Sequence, residues 1–190
     1  MATEAELILE DGTGIVDANT YALFVTADAY HSLRGNVAWA DADDVEKATA
    51  LVNATLYTDL RWSYVGSISV EDTGSGDPQN LDWPRNNFDF DLFDSDGIDV
   101  TDTVPQQIID GMLEYALRAL EGPLLPDPTV PDDAGRFVKL TREKLGPLEE
   151  EIRYSDSRGT RTTRRYPVPD TIIRQSGLVE NVTTDRATRK

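Results

Sequence analysis

Cysteine is absent from the 190 residues, and histidine occurs once, at His31. Without thiols the chain can form no disulfide, no thiolate metal site and no cysteine nucleophile. A single imidazole leaves any triad or metal centre to be completed by carboxylates, so His31 reads as a structural or surface residue. No long apolar run occurs, and Met1 to Glu10 has neither a basic start nor an apolar stretch. A soluble protein with no membrane contact and no export signal is expected. No GxxxxGK[ST], no GxGxxG opening a helix and no GxSxG is present, so phosphate-cradling loops and a hydrolase elbow have no support. The expectation is a protein that is not an enzyme and requires no cofactor or metal.

What is present is acid, unevenly placed. From Met1 to Gly135 there are 5 Lys and Arg against 27 Asp and Glu, a net −22, whereas Arg136 to Lys190 has 13 against 8, a net +5. DNA affinity rests on cations that displace counterions, so an acidic body argues against broad DNA binding. A basic tail suits an acidic neighbour, including a second copy of the same chain. With 39% hydrophobic residues, the chain suits one modest core.

The elements follow from capping and periodicity. Thr26 is placed to cap a short helix, Ala27 to Leu33, with Ala27, Tyr30 and Leu33 inward and Gly35 terminating it. Val45, Ala48, Val52, Leu56 and Leu60 mark the inner stripe of a second helix, about Asp43 to Leu60. Thr103 and Gln106 form a capping box for a third, with Pro105 in the first turn, Ile108, Met112, Tyr115, Ala116 and Ala119 following, and Gly122-Pro123 stopping it. Residues 63–101 show no period and read as a long loop anchored by Trp83, Phe88, Phe90, Leu92 and Phe93, with Trp83, Pro84 and Arg85 fixing it against the helices.

Period two begins at Phe137 and, after a break at Gly146-Pro147, continues from Leu148 through Ile152 to Tyr154, which predicts a β-hairpin or extended arm over 136–154. Residues 155–190 form a basic arm, polar to Arg165, with a short helix near 169–176 that carries Ile172 and Ile173. The fold class is therefore α+β: a mainly helical core of three to four helices over 1–135, an extended arm and a flexible C-terminal extension.

Two clusters invite chemistry. Asp94-Ser95-Asp96-Gly97 resembles half a calcium loop, but with Gly97 at the sixth position Leu92 falls at the first and Thr103 at the twelfth, where oxygen ligands are required. A solvated loop, or a surface for a basic tail, fits better. Arg158, Arg161, Arg164 and Arg165 with Tyr166 form the one segment suited to a single nucleic-acid strand, though such a cluster holds a carboxylate-lined protein surface equally well.

An ordered set of short motifs adds a resemblance. Asp11-Gly12-Thr13-Gly14, Asp17-Ala18-Asn19-Thr20-Tyr21, Ala27-Asp28-Ala29-Tyr30-His31, Arg34-Gly35-Asn36, Leu81-Asp82-Trp83-Pro84-Arg85, Val104-Pro105 and Lys144-Leu145-Gly146-Pro147-Leu148-Glu149 resemble a phage family often labelled DnaT-like single-stranded DNA-binding. Its genes look like those of head-to-tail connectors. The resemblance implies a neck adaptor: a ring, a dodecamer by the same resemblance, beneath the portal, contacting portal and tail or other neck proteins, with DNA only as passing cargo. It would be assembled in the host cytoplasm and reside in the virion neck. On this reading Arg161, Arg164, Arg165, Tyr166, Ile172 and Ile173 meet the portal, while Phe137, Lys139, Leu140, Arg142, Leu148 and Ile152 lie between subunits. The other function considered is a single-stranded DNA-binding replication accessory, carried by the arginines at 158–165.

Overall fold

The computed structural model describes residues 6–69, 78–87, 91–125, 137–144, 149–155 and 165–180. Those up to Leu124 and from Arg165 onward make one compact unit, and those between Leu125 and Arg164 a second. The described residues hold five helices and an antiparallel hairpin, an α+β fold with a mostly helical core. None of these helices is long and apolar enough to cross a membrane.

The chain enters through a turn built on a buried carboxylate. Glu10 is 2% exposed; its Oε1 accepts from the amides of Gly12 and Gly14, both at 2.9 Å, and its Oε2 from that of Ile15 at 2.8 Å. Three amides converge because Gly12 and Gly14 adopt φ of +97° and +76°, a region where a Cβ is disfavoured.

Helix α1, Phe24–Leu33, starts a turn earlier than Thr26 predicts. The Leu23 carbonyl accepts from Thr26 and Ala27, and the early start places Phe24 in the core beside Ala27 and Tyr30. Leu33, expected inward, is 86% exposed because that core face runs through 24, 27, 30 and 31. Gly35 (φ +65°) turns the chain into the short α2, Val37–Asp41, which buries Trp39.

Helix α3, Asp44–Arg61, is capped by a reciprocal box: Asp43 Oδ1 accepts from the Glu46 amide at 2.8 Å, and Glu46 Oε2 from the Asp43 amide at 3.0 Å. Its buried face is Ala48, Ala50, Leu51, Ala54, Thr55, Tyr57 and Thr58, which corrects the expected stripe. Val45 and Val52 are half-buried, while Leu56 and Leu60 are 57% and 66% exposed. Small residues won the interface because they let α3 lie close against its neighbour α4, Gln106–Ala119.

Helix α4 is the centre of the core, burying Ile108, Met112, Leu113, Tyr115 and Ala116. The expected Thr103–Gln106 box does not form. Pro105 is the N-cap, its carbonyl accepting from Ile108 and Ile109, and Gln106 turns its amide to Asp110 Oδ1 at 2.8 Å.

Within 63–101 the chain is more ordered than its composition predicts. Strands β1, Ser67–Ile68, and β2, Arg85–Asn86, pair antiparallel, and Phe93 bridges Asp99. Trp83 (0%) and Leu92 (4%) are anchors. Phe93 is 55% exposed and is not one, since the bridge holds its backbone instead. Phe88 and Phe90 lie outside the described residues.

Helix α5, Pro167–Gln175, begins two residues before the expected start and packs on α4. The segment after it returns to 63–65: Val65 donates to Leu178 O at 2.9 Å and Glu180 to Ser63 O at 2.8 Å. Residues 165–180 thus belong to the helical unit rather than to a flexible extension. Tyr166 Oη donates to Leu124 O at 3.2 Å, tying together the two points where the chain leaves and rejoins this unit.

In the second unit β3, Phe137–Lys144, pairs antiparallel with β4, Glu149–Ser155. The register shifts between Val138 and Leu140, so Lys139 is the extra residue of a bulge and the strict period of two is broken there.

Gly111 marks a close approach of α4 and α5. A Cβ built there would run into Ile173 Cγ1, and would lie 2.7 Å from Cδ1. Alanine gains up to about 1 kcal/mol of helix propensity over glycine, but overpacking a filled core costs about 1–3 kcal/mol. Gly111→Ala is therefore expected to lower the thermal midpoint; an unchanged or raised midpoint in a melting experiment would refute the close-approach reading.

Candidate functional site

A surface that holds nucleic acid needs cations free to meet phosphate. The helical unit has five Lys and Arg before Leu124: Arg34, Lys47, Arg61, Arg85 and Arg118. Each makes a contact within the chain, and all but the exposed Arg34 are half-buried. The Arg34 guanidinium lies 3.4 Å from the Tyr30 ring centroid and donates to Tyr30 O. Lys47 pairs with Asp28 at 2.9 Å, Arg61 with Asp170 at 3.1 Å and Arg118 with Glu114 at 2.6 Å, and these three side chains are only 13%, 16% and 24% exposed.

Arg85 makes four bonds to backbone carbonyls: Nε to Val65 at 2.9 Å, Nη1 to Asp82 at 3.2 Å, and Nη2 to Tyr64 at 3.3 Å and Gly66 at 2.7 Å. The planar fork suits this task because it offers donors in several fixed directions. Trp83, Pro84 and Arg85 together hold the loop onto the strand and helix ends, Trp83 and Pro84 by burial and Arg85 by hydrogen bonds. Meanwhile Asp41, Asp44, Asp91, Asp96, Asp99 and Asp102 are all exposed. The face offered to solvent is acidic.

The Asp94 loop organises itself. Asp94, 7% exposed, takes the Asp96 and Ile98 amides on Oδ1, both at 2.9 Å, and Gln107 Nε2 on Oδ2 at 2.7 Å. The Ile98 amide and the Gln107 bond hold its carboxyl below the usual range. His31 is buried beside Trp39, ring centroids 4.4 Å apart, with Nδ1 3.0 Å from Asn36 Nδ2. Burial pulls its pKa down to about 4, so it is neutral at neutral pH.

Four of the six residues expected to meet a portal are among the described residues. Arg161 and Arg164 lie outside the described residues, Arg165 is exposed and Ile172 is half-buried. Tyr166 and Ile173 are 6% and 0% exposed, committed to the chain's own core, so neither is available to a partner. Tyr166 instead stands edge-on to Tyr57 and Tyr115, with centroids 5.8 Å from each. Of the expected inter-subunit residues, Phe137, Lys139, Leu140 and Arg142 are on β3 and Ile152 on β4, whereas Leu148 lies outside the described residues.

Sequence reasoning missed the carboxylates that organise the interior. Asp170 Oδ1 accepts from Tyr115 Oη at 2.6 Å while Oδ2 meets Arg61, and Trp62 Nε1 donates to Tyr115 Oη at 3.2 Å. Asp59 Oδ1 accepts from Tyr21 Oη at 2.8 Å, and Oδ2 from the Asp82 amide at 3.2 Å. No short motif announces such pairings, because partners such as Tyr115 and Asp170 are 55 residues apart.

This is a mainly helical α+β protein with an acidic surface and an inserted hairpin. It belongs to the family described as “Putative DnaT-like ssDNA binding protein”, whose model matches residues 5–190. No curated protein and no solved structure matches the chain.

Burial pushes the Asp59 carboxyl up to about 7, the Tyr21 bond opposing and the nearby Asp82 adding to the shift. A carboxyl whose folded pKa exceeds its unfolded 3.8 binds more protons when folded, so its contribution to stability declines as pH rises from 3.8 to about 7. Removing the charge in Asp59→Asn is expected to flatten the fall in thermal midpoint across that window relative to wild type. Parallel profiles for the two proteins would disprove it. Arg85→Lys, which cannot reproduce the fork, is expected to destabilise by about 2 kcal/mol in urea unfolding; a loss within about 0.5 kcal/mol would place Arg85 among ordinary surface residues.

Proposed function

We propose that this chain is a non-catalytic structural protein of a tailed-phage particle, a head-to-tail adaptor that sits beneath the portal and continues the DNA channel toward the tail. The observation that carries the reading is the disposition of charge: of the five cations before Leu124 four are half-buried and paired within the chain, only Arg34 is exposed, and the excess acid faces solvent. Such a surface lets DNA pass without holding it. The ordered motifs resemble a phage family whose genes look like those of head-to-tail connectors, which supports the same role. In this role the protein resides in the virion neck, its partners being further copies of itself, the portal and adjoining neck or tail proteins.

The family description speaks for a second reading, single-stranded DNA binding. In this chain it would fall to Arg158, Arg161, Arg164 and Arg165 rather than to the helical unit. Tyr166 is buried among Tyr57 and Tyr115 and is not free to stack on a base, which removes the aromatic half of the platform that such a segment would need.

Anisotropy of a labelled oligothymidylate, titrated with the full chain over a salt series, separates the two. Under the adaptor reading binding is weak and nearly independent of salt. Four arginines neutralising phosphates would instead give a log–log slope of roughly −3, abolished by replacing all four with alanine, and that result would establish the second reading. Electron micrographs of particles made without the gene supply the complementary test. Filled or leaking heads lacking tails are expected, whereas intact particles with stalled DNA replication would overturn the adaptor role.

A further inference from the structure

The two strands of the hairpin differ in sign. Strand β3 carries Lys139, Arg142 and Lys144 against Glu143, a net +2; β4 carries Glu149, Glu150 and Glu151 against Arg153, a net −2. The register sets Arg142 opposite Glu151 and Lys144 opposite Glu149, with Glu143 opposite Glu150 between them, so two of the three charged pairs in the hairpin are of opposite sign.

Among the described residues β3 and β4 pair with each other alone. Among these residues each has one edge, of eight residues in β3 and seven in β4, with no described strand beside it. Neither strand contains proline, and the bulge at Lys139 lies near the start of β3, leaving Leu140 to Lys144 in regular register with Arg153 to Glu149. An unbroken edge of this length is a template for another strand unless something makes pairing unfavourable. Here charge does so selectively. A β3 edge repels a second β3 edge, and β4 repels β4, but β3 and β4 attract.

We propose that the hairpin is a self-assembly element in which the acidic β4 edge of one copy adds to the basic β3 edge of a second, joining copies head to tail through one continuous sheet. Backbone hydrogen bonds supply the affinity, and the signs of the strands fix which edge meets which. Because the two edges differ, the contact is heterologous, and its repetition closes a ring or extends a filament. Pairing of two like edges, the route to a two-fold dimer, is disfavoured because it sets strands of the same net sign side by side. The inference gives the ring of the adaptor reading a physical joint, but it rests on the hairpin alone and stands if the protein instead binds single-stranded DNA.

Sedimentation velocity of the full chain over a concentration series, at low and high salt, provides the readout. Wild type is expected to self-associate, more weakly as salt rises. Arg142→Glu with Lys144→Glu makes both strands acidic, and Glu149→Lys with Glu151→Lys makes both basic; each variant alone is expected to associate more than about tenfold more weakly. An equimolar mixture of the two regains association, because every acidic strand finds a basic one on the other variant. The fourfold variant, with complementarity restored within and between hairpins, associates by itself. A wild type that stays monomeric at every concentration, variants that associate as well as wild type, a mixture that remains monomeric or a fourfold variant that does so would each overturn the proposal. DNA affinity, read separately by anisotropy, is expected to be independent of these outcomes.

Discussion

The docking of α5 against α4 is the constraint on which the helical unit depends. Two features of sequence make it possible. Gly111 removes the side chain that would hold the helices apart, and Ile173 fills the space completely, at 0% exposure. Asp170 then fixes the orientation, because its carboxylate takes Tyr115 Oη on one oxygen and Arg61 on the other. A carboxylate at 7% exposure is costly to bury unless its lone pairs are met, and here the partners come from α3 and α4, so the bond network closes only when all three helices are assembled. The return of Leu178 and Glu180 to residues 63–65 follows from that docking.

The same economy explains the surface. A unit with 27 acidic residues against ten Lys and Arg has to satisfy its buried carboxylates first. Arg61 and Arg118 serve Asp170 and Glu114, and Arg85 serves four carbonyls that the loop would otherwise leave without donors. Arg34, Arg165 and Arg174 are exposed, but exposed carboxylates outnumber them among the described residues, and the body therefore faces its surroundings as a net anion. Self-repulsion of this kind opposes the close approach of copies; residues 125–164, by contrast, contain eight basic and eight acidic residues.

How much of this was legible varied with the range of the interaction. Asp43, Gly35 and the apolar spacing from Ile108 to Ala116 are local signals, and they located three helices to within a few residues. The hairpin was legible from its period of two, though not the bulge at Lys139, which depends on pairing rather than on the strand itself. The face of α3 was misread because hydrophobicity ranks leucine above alanine, whereas close helix packing selects for size: Ala48, Ala50 and Ala54 are inside while Leu56 and Leu60 are out. Tyr166 and Ile173 were expected to meet a partner because the family resemblance implies a docking C-terminal arm; only the long-range fit to Gly111 and Tyr115 reveals them as core.

The clasp between Tyr166 and Leu124 has an evolutionary side. Forty residues separate the exit from the re-entry of the chain, yet the hydroxyl and carbonyl meet at 3.2 Å. With its ends held by the core, the intervening segment can lengthen or change composition at a loop-closure cost that grows only logarithmically. The body and the excursion are thus free to diverge at different rates, the first constrained by packing and the second by whatever it touches.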